Sequence, residues 1–231
     1  HGGAKLGKTT FASMADKPFF IITEDGQENI DVEGTPLLHE WMDVMEAAEF
    51  LAEGKHEYKT LVLDSMDWAE KLLHAYIAAK DKKASIEDFG YGKGYTFALE
   101  EARRLLNVMN YCRNERNMEI IVICHSKVKT FNDPLGASYD RWQMKLHEGL
   151  GKALVEWADV IGFAQIKAST VTETKADFGK TKRNYVLQND RRVLHLAPSP
   201  GFEAGSRYPM PAEIELDYDV FAAELKKARG L

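Results

Sequence analysis

The 231-residue chain is poor in several features that would define it quickly. It has two cysteines, Cys112 and Cys124. Their spacing fits neither a disulfide framework nor a metal-ligand pair, so the expected compartment is a reducing, cytoplasmic one. It lacks a basic excess, since 30 Lys and Arg stand against 36 Asp and Glu for a formal net charge of −6. That balance argues against a generally basic nucleic-acid binder and leaves room only for a local basic site. Apolar runs are short of the ~20 residues that a membrane-spanning helix needs, and no signal peptide is evident, so no membrane is expected as a partner. No internal repeat, low-complexity tract or linker divides the chain. The expectation is one α/β domain over residues 1–231.

The richest stretch is the first. Residues 1–9 read HGGAKLGKT and contain G-x-x-x-x-G-K-T, with Gly2, Gly7, Lys8 and Thr9 in the positions of a phosphate-binding loop. Glycine lets such a loop turn tightly and bring its N–H groups against phosphate oxygens. Lys8 is expected to reach the β- and γ-phosphates of a nucleoside triphosphate, and the Thr9 hydroxyl to ligate Mg²⁺. A loop of this kind normally follows a buried strand, so a short buried strand is expected before His1. ATP and Mg²⁺ are the expected ligands, held through Gly2, Gly3, Ala4, Lys5, Leu6, Gly7, Lys8, Thr9 and Thr10.

After a short helix ending near Pro18, residues 19–23 (FFIIT) form an apolar run of the kind buried in a parallel sheet. It ends in Glu24 and Asp25, at the strand edge where open α/β sheets bind ligands. Residues 36–53 carry a helical pattern, with Leu37, Trp41, Val44, Ala48 and Leu51 on one face. The run TLVLD at 60–64 is an apolar strand ending in Asp; downstream of the phosphate loop, Asp64 is expected to hold Mg²⁺ directly or through water. Asp67 and Glu70 follow on a helix and read as a solvated face. Residues 88–95 (DFGYGKGY) form a loop that either contacts nucleotide, DNA or a neighbouring subunit, or simply connects.

A long amphipathic helix over 96–114 leads to a third buried strand at 119–124 (EIIVIC), which ends in His125. A polar residue there is placed to sense a γ-phosphate, or is structural. Residues 127–148 interleave Lys127, Lys129, Arg141 and Lys145 with Phe131 and Trp142. That mixture suits single-stranded DNA, cations for the backbone and rings for the bases, or is an ordinary solvated excursion. Residues 160–166 and 184–188 read as paired strands. Between them Lys175, Lys180, Lys182 and Arg183 surround a hairpin-like tip at 177–179. A further strand over 191–196, a Pro-rich turn at 205–211 and a terminal helix over 220–229 complete the chain.

The order of these motifs, with residues 2–10, 19–26, 61–65, 120–127 and the tail at 191–211, resembles the RecA-like P-loop ATPases. In particular it resembles phage-encoded AAA-type nucleotide-binding proteins, some of which are Sak-type single-strand annealing recombinases. The resemblance implies a mostly parallel central sheet flanked by helices, with an antiparallel C-terminal hairpin extension. It implies that Glu24 polarises the attacking water, that His125 couples γ-phosphate to the following loop, and that this loop meets single-stranded DNA. It further implies a homo-oligomer, ring or filament, in which a neighbour's cation completes the site, with Arg191, Arg192 and Arg207 as candidates. A single-strand binding protein is an implied partner, and the host cytoplasm the implied location. Two alternatives stand beside DNA recombination or annealing by an ATPase: a non-hydrolysing nucleotide switch or recombination-accessory module that binds ATP and a partner protein, and a small-molecule kinase.

Overall fold

A computed structural model describes residues 1–26, 30–134, 136–174 and 182–231, with the backbone alone for 168–174 and 182–190. The tip expected at 177–179, with Lys175 and Lys180, lies outside what is described, as do the side chains of Lys182 and Arg183. The phosphate loop runs into helix α1 (Lys8–Ser13), and strand β1 (Pro18–Ile22) follows. Helix α2 (Trp41–Glu53) starts five residues later than the sequence pattern implied. Leu38 donates its N–H to the Ile22 carbonyl at 2.8 Å, so residues 36–38 are held extended along β1 instead of joining the helix. Strand β2 (Thr60–Asp64), helix α3 (Met66–Lys80) and helix α4 (Lys93–Glu115) come next. Between the two helices, residues 86–89 form a 3₁₀ turn capped by Ser85. Strand β3 (Glu119–Val122) completes a parallel sheet of order β1-β2-β3.

This sheet is parallel because each strand is returned by a helix, which requires both faces to be covered. Ile21, Leu61 and Leu63 pack into the large core with α2, α3 and α4. Phe20, Val62 and Ile123 face the other way and meet Ala12 of α1. Leu63 is fully buried. Truncating Leu63 to Ala is expected to cost about 3 kcal/mol, read as a lower midpoint in urea unfolding.

Residues 126–148 are not an irregular excursion. Strands β4 (Ser126–Phe131) and β5 (Tyr139–Met144) pair antiparallel as a hairpin, and helix α5 (Glu148–Trp157) follows. The alternation of SKVKTF and YDRWQM suits pleated strands with two distinct faces, a period-2 signal that the scattered charges obscure. One face carries Lys127, Lys129, Arg141 and the Phe131–Tyr139 pair, the other Val128 with Trp142 and Thr130 with Asp140.

The short strand β6 (Val160–Ile161) leads to the long strands β7 (Phe163–Thr174) and β8 (Lys182–His195), which pair antiparallel as the sequence implied. The strand expected over 191–196 is the continuation of β8. Strand β9 (Gly205–Ser206) pairs with β6, β10 (Glu213–Glu215) joins β8, and helix α6 (Tyr218–Ala228) ends the chain. The parallel and antiparallel sheets meet at residues 1 and 2. Gly2 bridges to His125 on one side and Ala164 on the other, and Ala164 donates to the His1 carbonyl at 2.7 Å. A Cβ on Gly2 would lie 2.7 Å from the Ala164 carbonyl oxygen, so glycine is required by this close approach. Beyond His1, a cavity of about 630 Å³ runs between β3, β7, β8 and α6, lined by Ile121, Val160, Leu194, Tyr218 and Phe221 among others.

Candidate nucleotide site

The loop at residues 2–7 is shaped by two left-handed residues, Lys5 (φ 59°) and Gly7 (φ 95°). The second demands glycine, since a side chain there is strained. Lys8 folds back over the loop, donating to the Gly3 carbonyl at 2.7 Å and, more weakly, to Gly2 at 3.4 Å. Burial lowers the Lys8 pKa from its ordinary value, while Asp64, Glu24 and Asp67 act in the opposite sense. Carboxylates from the ends of β1 and β2 and from the first turn of α3 therefore surround one ammonium group.

Thr9 donates its hydroxyl to Asp64 Oδ2 at 2.8 Å, so the two residues read as magnesium ligands from the sequence come together across 55 positions. A hydroxyl and a carboxylate are hard oxygen donors suited to Mg²⁺. Among the described residues no group of three or more His, Cys, Asp or Glu forms a metal site by itself. The donor set fits a magnesium ion that takes its remaining ligands from phosphate and water.

Glu24 leaves the end of β1 beside the end of β2, where Ser65 donates to its Oε2 at 3.0 Å. Thr23, buried next to it, both accepts from the Ser65 N–H at 2.9 Å and donates to the Ser65 carbonyl at 2.7 Å. These paired bonds fix Glu24 relative to the magnesium donors. On its far side the Nδ1 of His125 lies 3.6 Å from Glu24 Oε2 and 3.1 Å from Asp67 Oδ2. Glu24 and His125 are thus brought to one place.

Asp67 and Glu70 do not form a solvated face, contrary to the sequence reading; they are 3% and 7% exposed. Asp67 accepts the His125 backbone N–H at 2.9 Å and faces its ring. Glu70, one turn along α3, accepts the His147 N–H at 2.9 and 3.0 Å. His125 and His147 flank the β4–β5 hairpin, so one helix holds both roots of it. Sequence reasoning missed Ser65, Thr23, Asp67 and Glu70 as site residues. The available signal was carboxylates three apart on the first turn after a buried strand, where that face turns inward.

Burial pushes the Glu70 pKa up from its ordinary 4.5 to about 7, against the lowering effects of the His147 N–H and of Lys127. The folded state then binds the proton more tightly, so the contribution of Glu70 to stability is fully present below about pH 4.5 and is lost as pH rises through about 7. Glu70→Gln keeps an acceptor for His147 and removes the charge. Urea unfolding should show the variant nearly equal to the parent at pH 4.5 and about 2 kcal/mol more stable at pH 8.

The basic and aromatic residues of the hairpin are partly committed within the chain. Lys127 donates to the Leu146 carbonyl at 2.6 Å, and Lys129 pairs with Glu148 at 3.5 Å. Arg141 lies over Phe131, 6.0 Å from its centroid. Trp142 is 40% exposed, and Lys145 is exposed. Of the three arginines considered for completing the site, Arg207 is tied to Asp159 at 2.8 Å and to the Glu156 carbonyl. Arg192 lies against the phosphate loop of its own chain, at Gly7.

Among the described residues no helix is long and apolar enough to cross a membrane. No curated protein matches the chain. A family model described as the AAA domain matches residues 1–208, which include the phosphate loop, Glu24, Asp64, His125 and the hairpin. The chain belongs to the AAA domain family and is an AAA-type P-loop ATPase domain.

Proposed function

We propose that this domain hydrolyses ATP in a RecA-like manner and couples the reaction to single-stranded DNA in recombination or annealing. The observation that carries the hydrolytic part is the convergence of Thr9, Asp64, Glu24 and Lys8 at adjacent strand ends. Lys8 and the loop N–H groups hold the phosphates, while Thr9 and Asp64 hold magnesium. Bound magnesium supplies charge neutralisation on the phosphate oxygens. Glu24, steadied by Ser65, accepts a proton from the water that attacks the γ-phosphate in line, so the new P–O bond forms as the bond to the ADP oxygen breaks. His125 sits between Glu24 and Asp67, and a shift of Glu24 on loss of the γ-phosphate is passed to the base of the hairpin.

The DNA part is supported by the hairpin face that combines Lys127, Lys129 and Arg141 with Phe131 and Tyr139. It is tested by measuring ATP hydrolysis with and without single-stranded DNA, with sizing of the same sample for a ring or filament. Hydrolysis stimulated by DNA is the expected result; no hydrolysis in either condition would leave the nucleotide-switch reading. The affinity for a single-stranded oligonucleotide should fall with salt, and fall further in the Lys127→Ala, Lys129→Ala, Arg141→Ala triple variant. Binding unchanged by the triple substitution removes the hairpin from the DNA interface.

A further inference from the structure

The structure assigns Arg192 as a phosphate-contacting cation of the nucleotide site in its own subunit. Its position follows from strand register. Within β8, Arg192 is cross-strand from Ile166 and Leu194 is cross-strand from Ala164, so both side chains stand on one face of the antiparallel sheet. On that face Ala164, Leu194, Leu196 and Ile214 form a core, against which the phosphate-loop residue Leu6 and the α1 residue Phe11 pack. The same packing that seats the loop on the sheet therefore brings Arg192 to the loop. Its Nη1 lies 2.9 Å, and its guanidinium carbon 3.9 Å, from where a Cβ on Gly7 would stand.

Gly7 immediately precedes Lys8 in the phosphate-binding motif, so the guanidinium lies against the loop one residue from the motif lysine. Among the described residues no carboxylate pairs with Arg192, and no hydrogen bond of its side chain to a described residue is present. Arginine stays charged at any physiological pH and offers a planar fork that matches two phosphate oxygens. An exposed guanidinium beside a phosphate loop, with no anionic partner among the described residues, is satisfied by the anion that the loop takes. Lys8 by contrast is already turned inward onto the loop carbonyls.

The inference rests on the nucleotide reading of the site, and the test separates the two. Binding of fluorescent ATP and ADP analogues is measured for the parent, Lys8→Ala, Arg192→Ala and Arg192→Lys, with the melting temperature of each. Expected are binding by the parent, loss in Lys8→Ala, and at least tenfold weaker ATP-analogue binding in Arg192→Ala, partly restored in Arg192→Lys. Inorganic tripolyphosphate should displace the analogue from the parent at least tenfold more effectively than from Arg192→Ala. If the parent binds no analogue, the nucleotide reading itself fails. If the parent binds and Arg192→Ala binds within twofold of it, Arg192 makes no phosphate contact. Should Arg192→Ala fold poorly, Arg192→Gln carries the same comparison. Mixing Arg192→Ala with Lys8→Ala protein decides between subunits, because in a shared site the mixture would contain interfaces with both cations intact. No recovery of hydrolysis is expected, and recovery towards the parent rate would place Arg192 in the neighbour's site.

Discussion

Glu24→Gln is expected to reduce the turnover of ATP by about 10²–10⁴ while ATP affinity stays within a few-fold of the parent. Gln keeps the size of Glu24 and an oxygen to accept from Ser65 Oγ, so the ends of β1 and β2 stay as they are. What is lost is the negative oxygen that, in the proposed mechanism, takes a proton from the attacking water. In the proposed site affinity is carried by other groups, namely the loop N–H donors, Lys8 and the Thr9–Asp64 pair. A drop in turnover at constant binding therefore identifies a group that acts in the transition state. The measurement is steady-state hydrolysis beside equilibrium binding of an ATP analogue. Turnover unchanged within twofold would remove Glu24 from the reaction and leave the neighbouring carboxylates Asp25 and Asp67 as the candidates.

Asp67→Ala is expected to destabilise the domain by about 3 kcal/mol and to slow hydrolysis roughly tenfold or more. The Asp67 side chain is 1% exposed and accepts both from the His125 backbone N–H and, at 3.1 Å, from the ring. Alanine leaves the backbone donor and the ring nitrogen unpaired in a place that water reaches poorly, which costs more than the bonds contributed. The His125 ring is then free to turn towards Glu24, 3.6 Å away, and to compete for the oxygen that the water needs. Asp67→Asn should be milder, because Oδ1 can still accept from the His125 N–H. Thermal unfolding with turnover at a temperature where both variants are folded separates the two effects. Unaltered stability in Asp67→Ala would show that His125 is held by other contacts.

Much of the site was legible because phosphate chemistry imposes residue types at short spacing. Residues 2–9 and the strand TLVLD at 60–64 are local patterns with a local cause, and the pairing of Thr9 with Asp64 at 2.8 Å is what they implied. The apolar runs at 19–23 and 119–124 became neighbours of β2 because that strand, buried at every residue, takes an apolar strand along each edge. The hairpin at 126–144 was less legible. Its charges are those of a solvated loop, and only the cross-strand pairing of Lys129 with Arg141 and Phe131 with Tyr139 reveals two faces.

The sequence by itself determined the phosphate loop, the acidic strand end at Asp64, the polar ends at Glu24 and His125, and the antiparallel pairing of the strands after residue 160. Only the tertiary structure decided that Asp67 and Glu70 face inward and hold the two ends of the hairpin, and that Arg192 reaches Gly7 of its own chain. The physical reason is the same in each case. A motif read along the chain reports what a residue can bind. Which way a helix face or a strand face points is set by the distant segment that packs against it, and burial makes that choice.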